Sequence, residues 1–279
     1  MQQNDFNKIM LNKNSKLIRE IIRTREIELV FNKFPQNYFE YSLELGAGNG
    51  TQSRKLINWT SHLLSTDINF NRLEYERNSN IDYQICDANI LPYKSETFDL
   101  IYSSNLLEHL LDPKLSLNEM HRVLKNDGIM IHIIPNRFWK LSHLLLFYPN
   151  QLLLLIRKLI GIKNPIENKK NLNNWSNIKK RPQKNKILNK IWPKVHGEYK
   201  NHISEFAGMG YSNWKNYFNK SSFKIIGYID KLPVHSPYRL GLNRIRKYLE
   251  FLGLSSSHGF VLVKQSSTKD PILPFNFKK

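Results

Sequence analysis

Acids and glycines stand where short apolar segments of this chain end. In LELGAGNG, Leu43 to Gly50, an acid (Glu44) precedes glycines at alternate positions, Gly46, Gly48 and Gly50. LLSTD closes on Asp67, YQICDA carries Asp87 and Ala88, and YSSNLLEHL offers Ser103, Ser104 and Asn105 before His109. Much later, WPKVHGEYKNHISEF gathers His196, Glu198, Tyr199, His202 and Glu205. A glycine-rich turn between strand and helix lets a ligand lie against the backbone, and the helix N-terminus supplies free N–H groups, so a nucleotide-like cofactor is the natural occupant. The spacing departs from a dinucleotide cradle, whose third glycine falls three residues after the second; here Gly50 is two after Gly48. An imidazole titrates near neutrality, which makes His109 and His196 candidate general bases. No set of Cys, His and carboxylate residues shows metal-ligand spacing along the sequence, so no metal is expected.

The elements that must position these residues follow from periodicity. Apolar runs at Tyr41–Leu45, His62–Asp67, Ile81–Cys86, Phe98–Ser103 and Gly128–Ile134 alternate with polar, helix-like stretches. That alternation predicts successive βα units and a largely parallel sheet. Ahead of them, residues 5–34 carry Ile18, Ile21, Ile22, Ile27, Val30 and Phe31 at helical spacing, an N-terminal helical arm. After Pro135 the rhythm breaks, and strand-like runs return only at Phe223–Tyr228 and Gly259–Lys264. The expected organisation is an arm over 1–40, a core over 41–135 and 221–265, an inserted cap over 136–220 and a tail over 266–279.

With 279 residues, 41% of them hydrophobic, the chain can bury a substantial core. A single cysteine, Cys86, allows no internal disulfide, and MQQNDFNKIMLNKNSK has no signal-peptide pattern, so a cytoplasmic location is expected. The net charge of +19 is concentrated: residues 157–200 hold thirteen Lys or Arg against two acids, or +11. Such a run suits anionic membrane headgroups or nucleic acid, although an AT-rich genome also enriches Lys and Asn. The apolar segment Phe138–Ile162 is divided by Pro149, Asn150 and Gln151, which predicts two short helices, each too short to span a bilayer.

From Tyr41 to Pro135 these motifs, taken in order, resemble the class I S-adenosylmethionine-dependent methyltransferases of the type 11 group. YSNWKNYFNKSSFKIIGY and HGFVLVKQ are similar to the late helix and strands of that fold. The resemblance implies a Rossmann-like, doubly wound α/β sheet of seven mostly parallel strands, the last antiparallel, with an inserted helical cap. It also implies S-adenosylmethionine as cofactor. Gly46, Ala47, Gly48 and Gly50 would admit its methionine and ribose portions, Glu44 would orient its ammonium, and Asp67, with Ile68 beside it, would take the ribose hydroxyls. Asp87 and Ala88 would contact the adenine, while Ser103, Ser104 and Asn105 would lie where donor and acceptor meet. The acceptor is expected to be a small molecule, glycan or lipid-linked compound of cell-surface polysaccharide or secondary metabolism, with peripheral membrane contact through the insertion. An RNA methyltransferase using Trp175 and Trp192 among lysines is the alternative; a non-catalytic binding protein on the same fold is the third reading.

Overall fold

A computed structural model describes residues 15–69, 80–160, 192–236, 238, 242–267 and 273. The Lys/Asn-rich stretch with Trp175, the start of the N-terminal arm and most of the C-terminal tail lie outside the described residues.

Seven strands form one sheet: β1 Phe39–Leu45, β2 Thr60–Asp67, β3 Ile81–Ile85, β4 Phe98–Ser104, β5 Leu124–Pro135, β6 Phe223–Ile229 and β7 Ser257–Lys264. Their order is β3-β2-β1-β4-β5-β7-β6. β7 runs antiparallel to β5 and β6, and the pairs among β1 to β5 are parallel. The strand order reverses between β1 and β4, so the carboxyl ends of those two strands open a crevice where open α/β sheets take their ligands. The apolar runs read as strands because both sheet faces are covered, which leaves little alternation: Leu43, Leu45, Leu100 and Ile101 are all buried.

Helices α1 (Ser15–Phe31) and α2 (Ser53–Leu56) cover one face. There Ile27, Val30, Phe31 and Leu56 join Leu63, Tyr102 and Ile131 in a single cluster. On the opposite face, α3 (Pro113–Val123) and α6 (Tyr211–Asn219) bring Leu117, Met120, Trp214 and Phe218 against Leu45, Ile101 and Phe260. The start of α3 is fixed locally: Asp112 accepts a bond from Leu115 N at 3.1 Å, and Pro113 occupies the first turn, where its missing N–H costs nothing.

Helices α4 (Arg137–Leu159) and α5 (His202–Gly208) lie between β5 and β6 in the chain, and α7 (Asn243–Phe251) precedes β7. The two short helices expected around Pro149 are in fact one, with the proline inside α4. Trp139, Lys140, His143 and Phe147 bury the first half of the helix, and the leucines after the proline are strong helix formers. Together they outweigh the hydrogen bond that proline forfeits. Among the described residues, no helix is long and apolar enough to cross a membrane.

Candidate functional site

The glycine loop leaves β1 with three left-handed residues in a row of five: φ is +74° at Gly46, +61° at Gly48 and +71° at Gly50. A side chain on Gly46 would press on Leu106 at 3.1 Å, whereas one on Gly48 would meet nothing within 4 Å among the described residues. Gly48 thus borders open space, as a surface for close ligand approach requires. The loop is held at Ala47, whose N–H donates to Thr66 O at 2.8 Å, and at Gly48, whose N–H donates to Asp67 Oδ2 at 2.9 Å. Asp67 Oδ1 accepts from Asn69 N at 2.8 Å. One carboxylate at the end of β2 therefore sets the conformation of the loop after β1 and keeps lone pairs for a ligand. Ile68 follows it with its side chain half exposed.

Glu44 lies beneath the loop, buried, and its Oε2 accepts from Ser53 Oγ at 2.5 Å and Ser65 Oγ at 2.9 Å. Burial pushes its carboxyl up to about 7, although the two serine hydroxyls pull the other way. Glu44 therefore ties β1 to β2 and to α2, besides being available to balance a cation. Asp87 stands exposed after β3, with Oδ1 accepting from Asn89 N at 2.9 Å, and Ala88 is buried beside it.

At the end of β4 the three predicted polar residues separate. The Ser103 hydroxyl lies within the sheet, 2.7 Å from His132 Nδ1, and burial lowers that imidazole to about 3. Ser104 Oγ instead donates to Glu26 Oε1 at 2.7 Å and accepts from Arg23 Nη1 at 3.1 Å. Asn105 adopts φ +53°, and with its amide oxygen toward Arg23 it accepts from both terminal nitrogens at 2.6 Å. Gln52 Nε2 completes the group, donating to Glu26 Oε1 at 2.9 Å. Burial alone would raise the Glu26 carboxyl. Arg23, His235 and the bonds from Ser104 and Gln52 outweigh it and hold the group below the usual carboxylate range.

Arg23, Glu26 and Gln52 were not expected from the motifs. A signal existed for one of them: Ile22, Glu26 and Val30 are four residues apart, so an acid sits on the apolar stripe of α1. An acid in that position needs a buried partner.

His109 and His196 meet. Their rings lie 4.5 Å apart, and Trp139 packs on His196 at 4.6 Å. The 3-10 turn Leu107–His109 is the receiving surface: Glu198 N donates to Glu108 O at 2.9 Å. Gly197, at φ +66°, comes so close that an added Cβ would stand 2.4 Å from that same carbonyl oxygen. Gly197→Ala is expected to cost roughly 2 kcal/mol, from the left-handed backbone alone about 1–2 kcal/mol and the remainder from displaced docking. Chemical denaturation measures it, and a change under about 0.5 kcal/mol, the range of a neutral surface substitution, would refute the docking.

Behind this turn lies a second polar group. Lys140 and Glu205, both without exposed side-chain surface, form an ion pair between α4 and α5. His202 Nδ1 is 2.8 Å from the same Lys140 nitrogen. Burial lowers the Lys140 ammonium, and Glu205 counters that. Of the polar cluster expected after Trp192, His202 and Glu205 therefore hold structure, whereas His196 faces His109.

Residues 43–132 match the family model described as Methyltransferase domain. An uncharacterized protein of Methanocaldococcus jannaschii is 35% identical over 135 residues, 48% of this chain and 55% of that protein. A ubiquinone biosynthesis O-methyltransferase of Bartonella tribocorum is 26% identical over 125 residues, 41% of this chain and 51% of that one. The chain thus spans about half the length of the curated relatives it matches. Among solved structures, a chain of the complex between the Haloferax volcanii Trm112 methyltransferase activator and a methyltransferase superposes with a TM-score of 0.54 at 12% identity, covering 93% of this chain and 97% of that chain. An S-adenosylmethionine-dependent methyltransferase of Mesorhizobium loti gives 0.50 at 14% identity, with coverage of 85% and 97%. Both likenesses concern the fold.

Proposed function

Residues 43–132 form a class I methyltransferase domain of the type 11 group, for which S-adenosylmethionine is the cofactor, and from that premise we propose that the protein transfers the methyl of that donor to a small acceptor with a large apolar part. The observation that carries the donor half is the glycine loop fixed by Asp67, open at Gly48. Glu44, Gly46, Ala47, Gly48, Gly50, Asp67 and Ile68 would hold the methionine and ribose portions. Asp87 and Ala88 would take the base, and Ser104 and Asn105 would border the methyl. The Ser103 hydroxyl is committed to His132, which leaves its backbone for that role. When bound, the sulfonium supplies an electrophilic methyl. The protein's task is to align and dry the two reactants, which can supply roughly 7–11 kcal/mol in the best intramolecular comparisons.

The acceptor half rests on a cavity of about 300 Å³ between α4 and α7, walled by Phe138, Leu141, Leu145, Leu146, Ile245 and Leu249. Its size and apolar lining suit a small organic molecule. His235 is also in the wall and interacts electrostatically with Arg23 and Glu26, so the cavity adjoins the polar group at the end of β4. An acceptor lodged there would place its apolar body between the helices and its nucleophile toward β4. Lipid-linked compounds and apolar secondary metabolites fit this description better than RNA does. His109 and His196 are the candidate bases if the nucleophile must lose a proton.

Calorimetry with S-adenosylhomocysteine tests the donor half, and its pH dependence tests Glu44. A carboxyl raised from 4.5 to about 7 in the folded state binds more protons folded than unfolded between those values. Its contribution to stability therefore falls as pH rises through that window and is constant above it. An ammonium ligand favours the ionised form, so affinity is expected to strengthen from pH 6 to pH 8, and Glu44→Gln to flatten both trends. Absence of binding at millimolar ligand would overturn the donor assignment; binding with a flat profile would remove Glu44 from it.

A further inference from the structure

Glu108, on the turn after β4, is a buried acid that the methyl transfer proposed above leaves without a role. Its side chain has no exposed surface, and among the described residues neither carboxylate oxygen has a hydrogen-bond partner. A buried carboxylate left in that condition costs several kcal/mol, which a structure normally avoids by pairing it. Two imidazoles face it. His196 Nε2 lies 3.5 Å and His109 Nε2 3.8 Å from the same oxygen, Oε1, and a ligand atom from each of the three residues lies within 4.8 Å of the others. These separations exceed a hydrogen bond. They approach the roughly 3.3–3.4 Å that separates neighbouring ligands when each is about 2.0–2.1 Å from a tetrahedral Zn²⁺.

We propose that Glu108, His109 and His196 bind one divalent transition-metal ion of the zinc class, between the turn after β4 and the loop that docks on it. Two imidazole nitrogens and one carboxylate oxygen are ligands for Zn²⁺, Co²⁺, Ni²⁺ or Fe²⁺, whereas Mg²⁺ and Ca²⁺ prefer all-oxygen shells. The surroundings hold the ligands in place: the Glu198 N–H and Gly197 fasten the loop to the Glu108 carbonyl, and Trp139 supports the His196 ring. Access is one-sided, because Glu108 is enclosed while the His109 side chain is 45% exposed. Three protein ligands with a fourth position open to solvent are the arrangement of reactive metal sites, and closed four-ligand sets that of structural ones. The turn begins two residues after Asn105, so an acceptor hydroxyl that reached the open position would be acidified and would lose its proton to solvent, the two imidazoles then acting as ligands and not as bases. The site itself stands on the geometry of the trio and does not depend on the donor assignment.

The test uses the full chain, freed of metal by a chelator and titrated with Zn²⁺ by calorimetry and with Co²⁺ by visible absorption. One ion per chain is expected, with a Co²⁺ ligand-field spectrum of low coordination that Zn²⁺ abolishes. Glu108→Gln, His109→Asn and His196→Ala are each expected to weaken binding more than about tenfold, the least effect seen when even the outer partners of a ligand are disturbed. No binding, or binding that all three variants retain, would overturn the site and leave the trio as a structural contact between the turn and the loop docked on it. Should Glu108→Gln fail to fold, His109→Asn decides, since that side chain is partly exposed. Titration of the same samples with S-adenosylhomocysteine separates the two assignments. Donor binding without metal binding defeats the metal site alone, and metal binding without donor binding defeats the donor site alone.

Discussion

Asp67→Ala is expected to weaken S-adenosylhomocysteine binding at least about a hundredfold, roughly 3 kcal/mol, because hydrogen bonds to a charged group contribute about 1.5–3 kcal/mol each when a partner is lost. Two contributions combine. The carboxylate would lose both ribose hydroxyls, and the Gly48 N–H that it now accepts at 2.9 Å would lose its anchor. The loop then ceases to be prepared for the ligand before the ligand arrives. Asp67→Asn keeps an oxygen for Gly48 but loses the charge, so an intermediate loss is expected. Calorimetry on both variants, with thermal melts to show that they fold, gives the comparison. A Kd for Asp67→Ala within threefold of the parent's would remove Asp67 from the donor site.

The second large effect concerns stability. Lys140→Ala leaves Glu205 as a buried charge without its partner, and breaking such a pair typically costs about 3–5 kcal/mol. For a chain of this size that is a fall in Tm of roughly 10 °C. The double replacement Lys140→Met with Glu205→Leu is expected to recover most of the loss, since two apolar side chains of similar volume need no pairing. A double-mutant cycle by denaturant titration isolates the coupling. If Lys140→Ala melts within about 2 °C of the parent, the pair between α4 and α5 does not fasten those helices.

The sheet was legible because its strands are covered on both faces, so runs such as Leu43–Leu45 and Gly128–Ile134 stand out against polar surroundings, and each lies within an observed strand. The loop glycines and Asp67 were legible for a local reason, since short spacing and strand ends determine them. What joins distant segments left weaker traces. Nothing in LEHL or VHGEY announces that Glu108, His109 and His196 will share a few ångströms; that proximity arises only when the chain returns after α4. Nor does EH, read alone, show that the carboxylate is enclosed. Pro149 misled for the opposite reason: the local penalty is real, but the packing of Trp139, Lys140 and Phe147 decided the outcome. Lys140 itself left a readable sign, falling three residues before His143 and seven before Phe147 on one helical face. A cation on such a stripe calls for an anion, and Glu205 answers from another helix.

Helix α1 bears on how this protein can be divided. The match to the family model begins at Leu43, yet Ile27, Val30 and Phe31 fill one side of the sheet, and Glu26 and Arg23 fasten the end of β4. Burial of each such apolar side chain is worth about 1.5–3 kcal/mol, against a total stability of roughly 5–15 kcal/mol for an ordinary domain. The recognisable unit and the foldable unit therefore have different borders. A gene fragment trimmed to the family-model match would expose Leu100, Tyr102 and Ile131 to water and free Ser104 from its tether, and so an expression boundary belongs upstream of α1. Substitutions carried over from relatives aligned only from Leu43 onward would likewise be grafted without the helix against which their neighbours pack.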